Sequence, residues 1–129
     1  MEKYLLDTHT LLWILGNPDQ LSEKVKVILQ SSENIFFVNI VSFWEISIKN
    51  SLGKLPLEVS IPEIYEKTIL SGINIFTIDI TILSNVNKLA FHHRDPFDRL
   101  IIANALTENI PIISIDDKFD LYTEIKRIW

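Results

Sequence analysis

The sequence predicts an α/β fold, a three-layer α/β/α sandwich around a central parallel sheet. Short, strand-like apolar runs alternate along the chain with helical segments, and helical crossovers of about ten residues or more join parallel strands. The strand-like runs are almost continuously apolar, which is typical of a sheet that helices cover on both faces. With 129 residues and 47% hydrophobic side chains, the chain is expected to form one domain over residues 1–129.

Strand and helix signals alternate along the first half of the chain. Short runs of β-branched, aromatic and other apolar residues predict strands at residues 4–6 and 35–38. Apolar residues at helical spacing predict helices at residues 8–15, 22–29 and 41–52. The first and third of these helices are expected to end at Gly16-Asn17-Pro18 and at Gly53, because glycine and proline interrupt helical structure.

The same alternation continues in the second half of the chain, without an internal repeat or a linker. Helices are predicted at residues 61–70, 80–90 and 96–109. Strands are predicted at residues 73–78 and 111–115, with a last edge strand at residues 124–129. Asp95 and Pro96 suit the start of the last helix, since Asp is a good N-cap and Pro is favoured at the first helical position.

The composition excludes several classes of protein. The absence of cysteine excludes a disulfide framework, a thiolate zinc site and a cysteine nucleophile, and it fits the reducing cytoplasm. Neither export nor a membrane span is expected, because the first residues show no basic leader followed by an apolar stretch and no window of the sequence is apolar for long enough. The net charge of −5 has the wrong sign for a surface that binds nucleic acid over its whole extent, so any nucleic-acid contact is expected to be local.

Two aspartates follow predicted strands directly. Asp7 comes after the first strand-like run, and Asp116 comes after the run at residues 111–115. Because the carboxyl ends of parallel strands meet at one edge of a sheet, where ligands bind in such folds, both carboxylates are expected at the same edge. A structural role is open for either residue, since Asp is also a good N-cap for the helix or turn that follows.

Two further acids interrupt the apolar faces of predicted helices. Glu45 shares a helix face with the aliphatic residues Val41, Ile48 and Leu52. Asp98 shares one with Ile101, Ile102 and Ala105. The structural alternatives are an ion pair between Glu45 and Lys49, and a capping-box contact between Asp98 and Asp95. Neither alternative explains the apolar stripe beside the acid, so both acids are candidate functional residues.

The four acids predict a cation site if they converge. Like charges about 4 Å apart repel by roughly 4 kcal/mol at an effective dielectric constant of about 20, so such a group must take up protons or bind a cation. An all-oxygen ligand set favours a hard divalent cation such as Mg²⁺ or Mn²⁺. Such an ion activates a bound water and stabilises charge on a phosphoryl oxygen, which indicates phosphodiester hydrolysis.

The segments that contain these acids resemble the PIN-domain ribonucleases, and in particular the VapC-like toxins of toxin–antitoxin pairs. They are Leu5–Trp13, Ser42–Lys49 with Gly53–Leu55, His93–Ala103 and Ile113–Asp116, and they follow the family's order over nearly the whole chain. The resemblance implies a PIN-like fold, Mg²⁺ or Mn²⁺ as cofactor and RNA as substrate. It also implies two partners, a cognate antitoxin and a second copy of the chain in a homodimer.

By the same resemblance, the catalytic and metal-binding roles fall on the four acids. Asp7, Glu45 and Asp98 match the family's central acids, and Asp116 matches a fourth ligand that acts directly or through water. Asp117 is the alternative for this fourth position, because the register there is open by one residue.

Basic residues near these acids are candidates for substrate binding, and they are His9, Lys49, Arg94 and Arg99. Surface ion pairing accounts equally well for Lys49 and the two arginines, and a structural or polar-network role is the alternative for His9. His92 and His93 are expected at a solvated helix end.

Two other functions stay open from the sequence. A catalytically silent protein-binding module would keep the acids for metal-stabilised folding. An aspartyl-phosphate phosphotransfer domain would also place acids at strand ends. The phosphatases of that class have a second Asp where this chain has His9, and receiver domains need a Lys that residues 112–117 lack.

Overall fold

A sheet of five parallel strands lies at the centre of the computed structural model, which describes residues 2–129. The strands are β1 (Lys3–Leu6), β2 (Ile35–Asn39), β3 (Asn74–Phe76), β4 (Ile112–Ile113) and β5 (Arg127–Ile128). Their order across the sheet is β3-β2-β1-β4-β5, and each neighbouring pair is parallel. The predicted parallel sheet is therefore confirmed.

Helices connect the strands and cover both faces of the sheet. They are α1 (Thr8–Gly16), α2 (Glu23–Gln30), α3 (Val41–Ser51), α4 (Ile61–Leu70), α5 (Ile80–Lys88) and α6 (Pro96–Glu108). Two short 3₁₀ helices lie at Pro18–Gln20 and Asp117–Leu121. This architecture is the predicted three-layer α/β/α sandwich. Within residues 2–129, every helix is too short or too polar to cross a membrane.

Alternate residues of β1 pack into two separate hydrophobic cores, one on each face of the sheet. Tyr4 and Leu6 belong to the core that α1, α2 and α4 cover, whereas Leu5 belongs to the core that α5 and α6 cover. Leu5 and Leu6 are both fully buried. The continuous apolar run that predicted this strand therefore reflects a helical layer on each side of it.

The direction in which strands are added to the sheet reverses beside β1. From β1 the chain moves outward through β2 to β3, and it then returns to form β4 and β5 on the other side of β1. In open parallel sheets, such a reversal leaves a crevice at the carboxyl ends of the strands, where ligands bind. Asp7 follows β1 and Asp116 follows β4, so the two aspartates flank this crevice.

The bounds of the elements differ from the prediction mainly at strand ends. The strands predicted at residues 73–78 and 111–115 are confined to β3 and β4. β4 ends early because the chain turns at Ser114, whose hydroxyl accepts a hydrogen bond from the backbone N–H of Asp116 at 3.0 Å. Before β4, helix α6 ends at Glu108 because Asn109 adopts a left-handed φ of 54°. The predicted edge strand is confirmed as β5.

Candidate active site

Asp7 lies between β1 and α1 with its side chain buried. Its Oδ1 accepts a hydrogen bond from the backbone N–H of Thr10 at 2.9 Å, which makes Asp7 the N-cap of α1. Its Oδ2 accepts a hydrogen bond from the hydroxyl of Ser114 at 2.6 Å, which links the ends of β1 and β4. Burial raises the pKa of Asp7, although both hydrogen bonds oppose the rise. The capping role considered for Asp7 is thus real, and it uses only one of the two oxygens.

Glu45 is buried on α3 and is fixed through both of its carboxylate oxygens. The hydroxyl of Thr8 donates a hydrogen bond to Oε1 at 2.6 Å, and the ammonium of Lys49 donates to Oε2. Partial burial of Lys49 opposes its charged form, but the hydrogen bond and charge of Glu45, followed by the charges of Asp95 and Asp98, raise the pKa of Lys49. The ion pair considered as the structural alternative for Glu45 is therefore present, and Lys49 also lies within the influence of Asp95 and Asp98.

Asp98 lies in the first turn of α6, and its side chain is only 18% exposed. Burial raises its pKa to about 8, assisted by the negative charges of four nearby carboxylates, Asp95, Glu45, Asp7 and Asp116. The charges of the other three acids selected from the sequence therefore all act on Asp98. The four acids lie near the carboxyl edge of the sheet, after β1 and β4 and on α3 and α6.

Asp116 completes the group from the other side of the crevice. Its Oδ1 caps the second 3₁₀ helix by accepting a hydrogen bond from the backbone N–H of Lys118 at 3.0 Å. Its Oδ2 lies 3.8 Å from Nε2 of His93, and this nitrogen lies 3.0 Å from Oδ2 of Asp98. One ligand atom from each of these three residues lies within 4.8 Å of the others. Asp117 is exposed and lies outside this set.

Asp95 begins α6 as predicted, but Asp98 does not close a capping box. The Oδ1 of Asp95 accepts hydrogen bonds from the backbone N–H groups of Phe97 and Asp98, at 2.8 Å and 3.3 Å. In a capping box, the carboxylate of Asp98 would accept a hydrogen bond from the backbone N–H of Asp95. That N–H instead donates to Nδ1 of His93 at 3.3 Å, so the carboxylate of Asp98 stays free to face the other acids.

The prediction of a solvated helix end is wrong for His93. Its side chain is only 9% exposed, and its backbone N–H donates to the hydroxyl of Tyr122 at 3.0 Å. The ring of Phe119 packs against the imidazole at 6.1 Å between centroids. No local pattern indicated this burial, because both aromatic neighbours come from the distant segment around the second 3₁₀ helix. His92 is exposed, as expected.

Burial of Arg99 disfavours the predicted contact of this side chain with substrate. Its side chain is only 6% exposed, and its Nη1 and Nη2 donate to backbone carbonyls at the end of α5 and in the connection to α6. The acceptors include Ala90 at 2.9 Å and Val86 at 3.2 Å. Its guanidinium also stacks on the ring of Phe91 at 4.0 Å. Arg99 therefore links the start of α6 to the end of α5 through both terminal nitrogens of its guanidinium.

The other basic candidates are accessible to a bound molecule to different degrees. His9 is exposed on α1, beside the ring of Trp13 at 5.9 Å between centroids. Arg94 is exposed between α5 and α6. Lys49 is half-buried and directed at the acids. Contact between these side chains and a substrate stays a prediction.

Buried hydroxyl groups form a part of the site that the sequence analysis did not select. Thr8 contacts Glu45, and its hydroxyl also lies 2.9 Å from the hydroxyl of Ser42. Ser114 contacts Asp7 and Asp116. Their position in the sequence offered a signal, because each is a small polar residue within a few positions of a selected acid. These hydroxyls hold the carboxylates in fixed directions.

The family of the chain is established by its match to the PIN domain over residues 4–125. Because this match spans nearly the whole sequence, the chain belongs to the PIN domain family. No curated protein matches the chain in sequence.

Solved structures of VapBC proteins have the same fold. The chain is similar to VapBC2 from Rickettsia felis bound to a promoter DNA fragment, with 16% identity, a TM-score of 0.70 and coverage of 98% of this chain and 97% of that chain. The chain is also similar to VapBC-1 from nontypeable Haemophilus influenzae, with 21% identity, a TM-score of 0.70 and coverage of 98% of this chain and 96% of that chain. A third similar structure is VapBC-5 from Mycobacterium tuberculosis, a member of the VapBC family of toxin–antitoxin systems. Its identity is 14% and its TM-score is 0.59, with coverage of 99% of this chain and 98% of that chain.

Proposed function

We propose that this chain is the toxin of a toxin–antitoxin pair and a divalent-metal-dependent endoribonuclease that hydrolyses RNA phosphodiester bonds. The observation that carries the proposal is the convergence of Asp7, Glu45, Asp98 and Asp116 at the carboxyl edge of a PIN-domain sheet. The VapC-like sequence segments and the shared fold with VapBC structures support the assignment as a toxin.

The residues at this edge fit Mg²⁺ or Mn²⁺. The four acids would supply carboxylate oxygens, which hard divalent cations prefer. The pKa of Asp98 is raised by burial and by its acidic neighbours, so a cation at this position would relieve the repulsion and favour the ionised carboxylate. Such an ion supplies an activated water and neutralises charge that develops on a phosphate oxygen.

The surrounding side chains would keep the ligand oxygens in place before the ion arrives. Ser114 and the backbone N–H of Thr10 fix the two oxygens of Asp7, and Thr8 fixes one oxygen of Glu45. Lys49 supplies positive charge next to Glu45. A site with such constrained carboxylates needs little rearrangement to bind an ion.

RNA would approach the crevice through a small set of basic groups. His9 and Arg94 are exposed, and Lys49 lies beside the acids, so these residues are the candidates for phosphate contacts. The net charge of −5 disfavours binding over a wide surface, so recognition would be confined to the crevice and its rim. A cognate antitoxin that masks this crevice, a homodimer and a cytoplasmic location belong to the same proposal.

Cleavage of RNA by the purified chain tests the proposal. We expect cleavage with Mg²⁺ or Mn²⁺, loss of cleavage with a chelator, and at least about 100-fold slower cleavage by Asp98→Asn, because the substitution removes one charged ligand. Asp117→Asn is the matched control, since it removes an exposed acid outside the group, and it should cleave at the wild-type rate.

Two results would contradict the proposal. Equal rates for the wild type and Asp98→Asn would remove Asp98 from the reaction. A rise in melting temperature with divalent ions, without RNA cleavage under either ion, would instead support a silent protein-binding module.

A further inference from the structure

The imidazole of His93 has one nitrogen engaged and one without a hydrogen-bond partner. Nδ1 accepts a hydrogen bond from the backbone N–H of Asp95 at 3.3 Å. Nε2 is buried and makes no hydrogen bond to any residue within 2–129. A neutral imidazole carries its hydrogen on one nitrogen and a lone pair on the other. Because Nδ1 is the acceptor, the hydrogen lies on Nε2.

The free Nε2–H faces the two acids of the crevice. It lies 3.0 Å from Oδ2 of Asp98, which is not in line with the N–H bond, and 3.8 Å from Oδ2 of Asp116, which is too far for a hydrogen bond. A buried donor without an acceptor destabilises the folded state. A rotation of the Asp98 carboxylate, or a small shift of the Asp116 carboxylate towards the ring, would give the donor its acceptor.

The ring itself has little freedom to move. The backbone N–H of His93 donates to the hydroxyl of Tyr122 at 3.0 Å, and its carbonyl accepts a hydrogen bond from Nη1 of Arg99 at 3.3 Å. Phe119 packs against the ring. Formation of a hydrogen bond to Nε2 therefore depends on movement of the carboxylates, which are more exposed than the imidazole.

A role as a direct metal ligand disagrees with this arrangement. To bind a cation, Nε2 must present its lone pair, and the hydrogen must then move to Nδ1. The Nδ1–H group would then oppose the backbone N–H of Asp95, and two donors would face each other. The contact with Asp95 therefore favours the donor role over the ligand role.

We infer that His93 is a positioning residue, whose Nε2–H donates to the carboxylates of Asp98 and Asp116 and holds them in the orientation that binds the divalent cation. This inference rests on the proposed function, because it concerns the same metal site. Groups that orient metal ligands in this way typically change metal affinity by about 10–100-fold when they are removed.

Titration of the full chain with Mn²⁺ tests the inference through two substitutions of the same residue. The side-chain amide of Gln can place an N–H near the position of Nε2, whereas Ala provides no donor. We expect His93→Ala to weaken Mn²⁺ binding by about 10–100-fold and His93→Gln to restore most of the affinity. His92→Ala, at the exposed neighbouring histidine, is the matched control and should bind as the wild type does.

Wild-type affinity in His93→Ala, or a loss in His93→Gln as large as in His93→Ala, would overturn the inference. Asp98→Asn separates this failure from that of the proposed function. If Asp98→Asn binds Mn²⁺ like the wild type, the metal site itself is wrong, whereas if only the His93 variants behave as the wild type, the site stands without this role.

Nitrogen NMR of the imidazole keeps the inference testable if a variant fails to fold. The ¹⁵N shifts of the wild-type protein report which nitrogen carries the hydrogen. We expect the Nε2–H form both without metal and with saturating Mg²⁺. A change to the Nδ1–H form upon addition of Mg²⁺ would make His93 a ligand and contradict the inference.

Discussion

At the scale of single residues, the acids of the crevice combine a local structural role with exposure to one another's charge. Asp7 and Asp116 each cap the element that follows them with one oxygen. The second oxygen of Asp7 accepts a hydrogen bond from Ser114, and that of Asp116 lies 3.8 Å from Nε2 of His93. Burial and the charges of neighbouring acids raise the pKa of Asp98 to about 8.

The raised pKa of Asp98 predicts how the stability of the metal-free protein depends on pH. The pKa rises from the ordinary 3.8 to about 8 on folding, so the folded state binds this proton more tightly than the unfolded state does. The resulting stabilisation is complete below about pH 4 and is lost as the pH rises through 8. Asp98→Asn removes this dependence, so in a chelator its melting temperature should exceed that of the wild type by roughly 5 °C at pH 9, with little difference at pH 4.

Asp120→Asn provides a control of opposite sign. A hydrogen bond from Arg127 lowers the pKa of the exposed Asp120, so any stabilisation it gives is present above pH 4 and is lost in acid. This variant should melt no higher than the wild type at pH 9. Parallel melting curves of Asp98→Asn and the wild type across the whole pH range would contradict the account of Asp98.

Single residues of the site can be predicted from the sequence where local patterns carry the information. Glu45 and Asp98 can be selected because helical spacing places an acid beside aliphatic residues. The burial of His93 and Arg99 cannot be predicted in this way, because it depends on Tyr122, Phe119 and the carbonyls at the end of α5, which are distant in sequence or belong to the backbone. A charged or polar side chain buried by such contacts has no periodic signature.

At the scale of elements, the junction between α5 and α6 places Asp98 and His93 next to the sheet. Arg99 holds this junction through hydrogen bonds to Val86, Leu89, Ala90 and His93 and to the hydroxyl of Tyr122. Asp95 and Pro96 then begin α6. The position of the acid on α6 therefore depends on a buried guanidinium as much as on the helix itself.

Replacement of Arg99 tests this view of the junction. Arg99→Ala leaves several buried carbonyls without donors, so we expect the free energy of unfolding to fall by about 2–4 kcal/mol in urea denaturation. Arg94→Ala, at an exposed neighbouring arginine, should change it by less than about 0.5 kcal/mol. Equal effects of the two substitutions would mean that Arg99 does not support the junction.

The order and type of the elements followed from sequence patterns, whereas several strand ends did not. Residues 73–78 and 111–115 alternate or run apolar, yet only Asn74–Phe76 and Ile112–Ile113 pair in the sheet. Ile115 is 50% exposed, because the chain leaves the sheet at Ser114 to direct Asp116 towards the crevice. Strand length is limited here by the geometry of the site, which hydrophobicity does not encode.

At the scale of the whole molecule, the reversal of strand order beside β1 explains why acids far apart in the sequence meet. β1 and β4 are neighbours in the sheet although more than a hundred residues separate Asp7 from Asp116. The hydroxyl of Ser114 donates a hydrogen bond to Asp7 and so links the ends of the two strands. The helices α3 and α6 then bring Glu45 and Asp98 to the same edge. The result is a buried cluster of negative charge, in a chain whose net charge is already −5.

Titration of the purified protein with Mn²⁺, followed by the electron paramagnetic resonance signal of the free ion, tests most directly whether these acids form one metal site. We expect saturable binding by the wild type and by Asp117→Asn, with at least about tenfold weaker binding by both Asp7→Asn and Asp116→Asn. Wild-type affinity in both Asp7→Asn and Asp116→Asn would contradict a shared metal site, because ligands on the two sides of the crevice could not then bind the same ion.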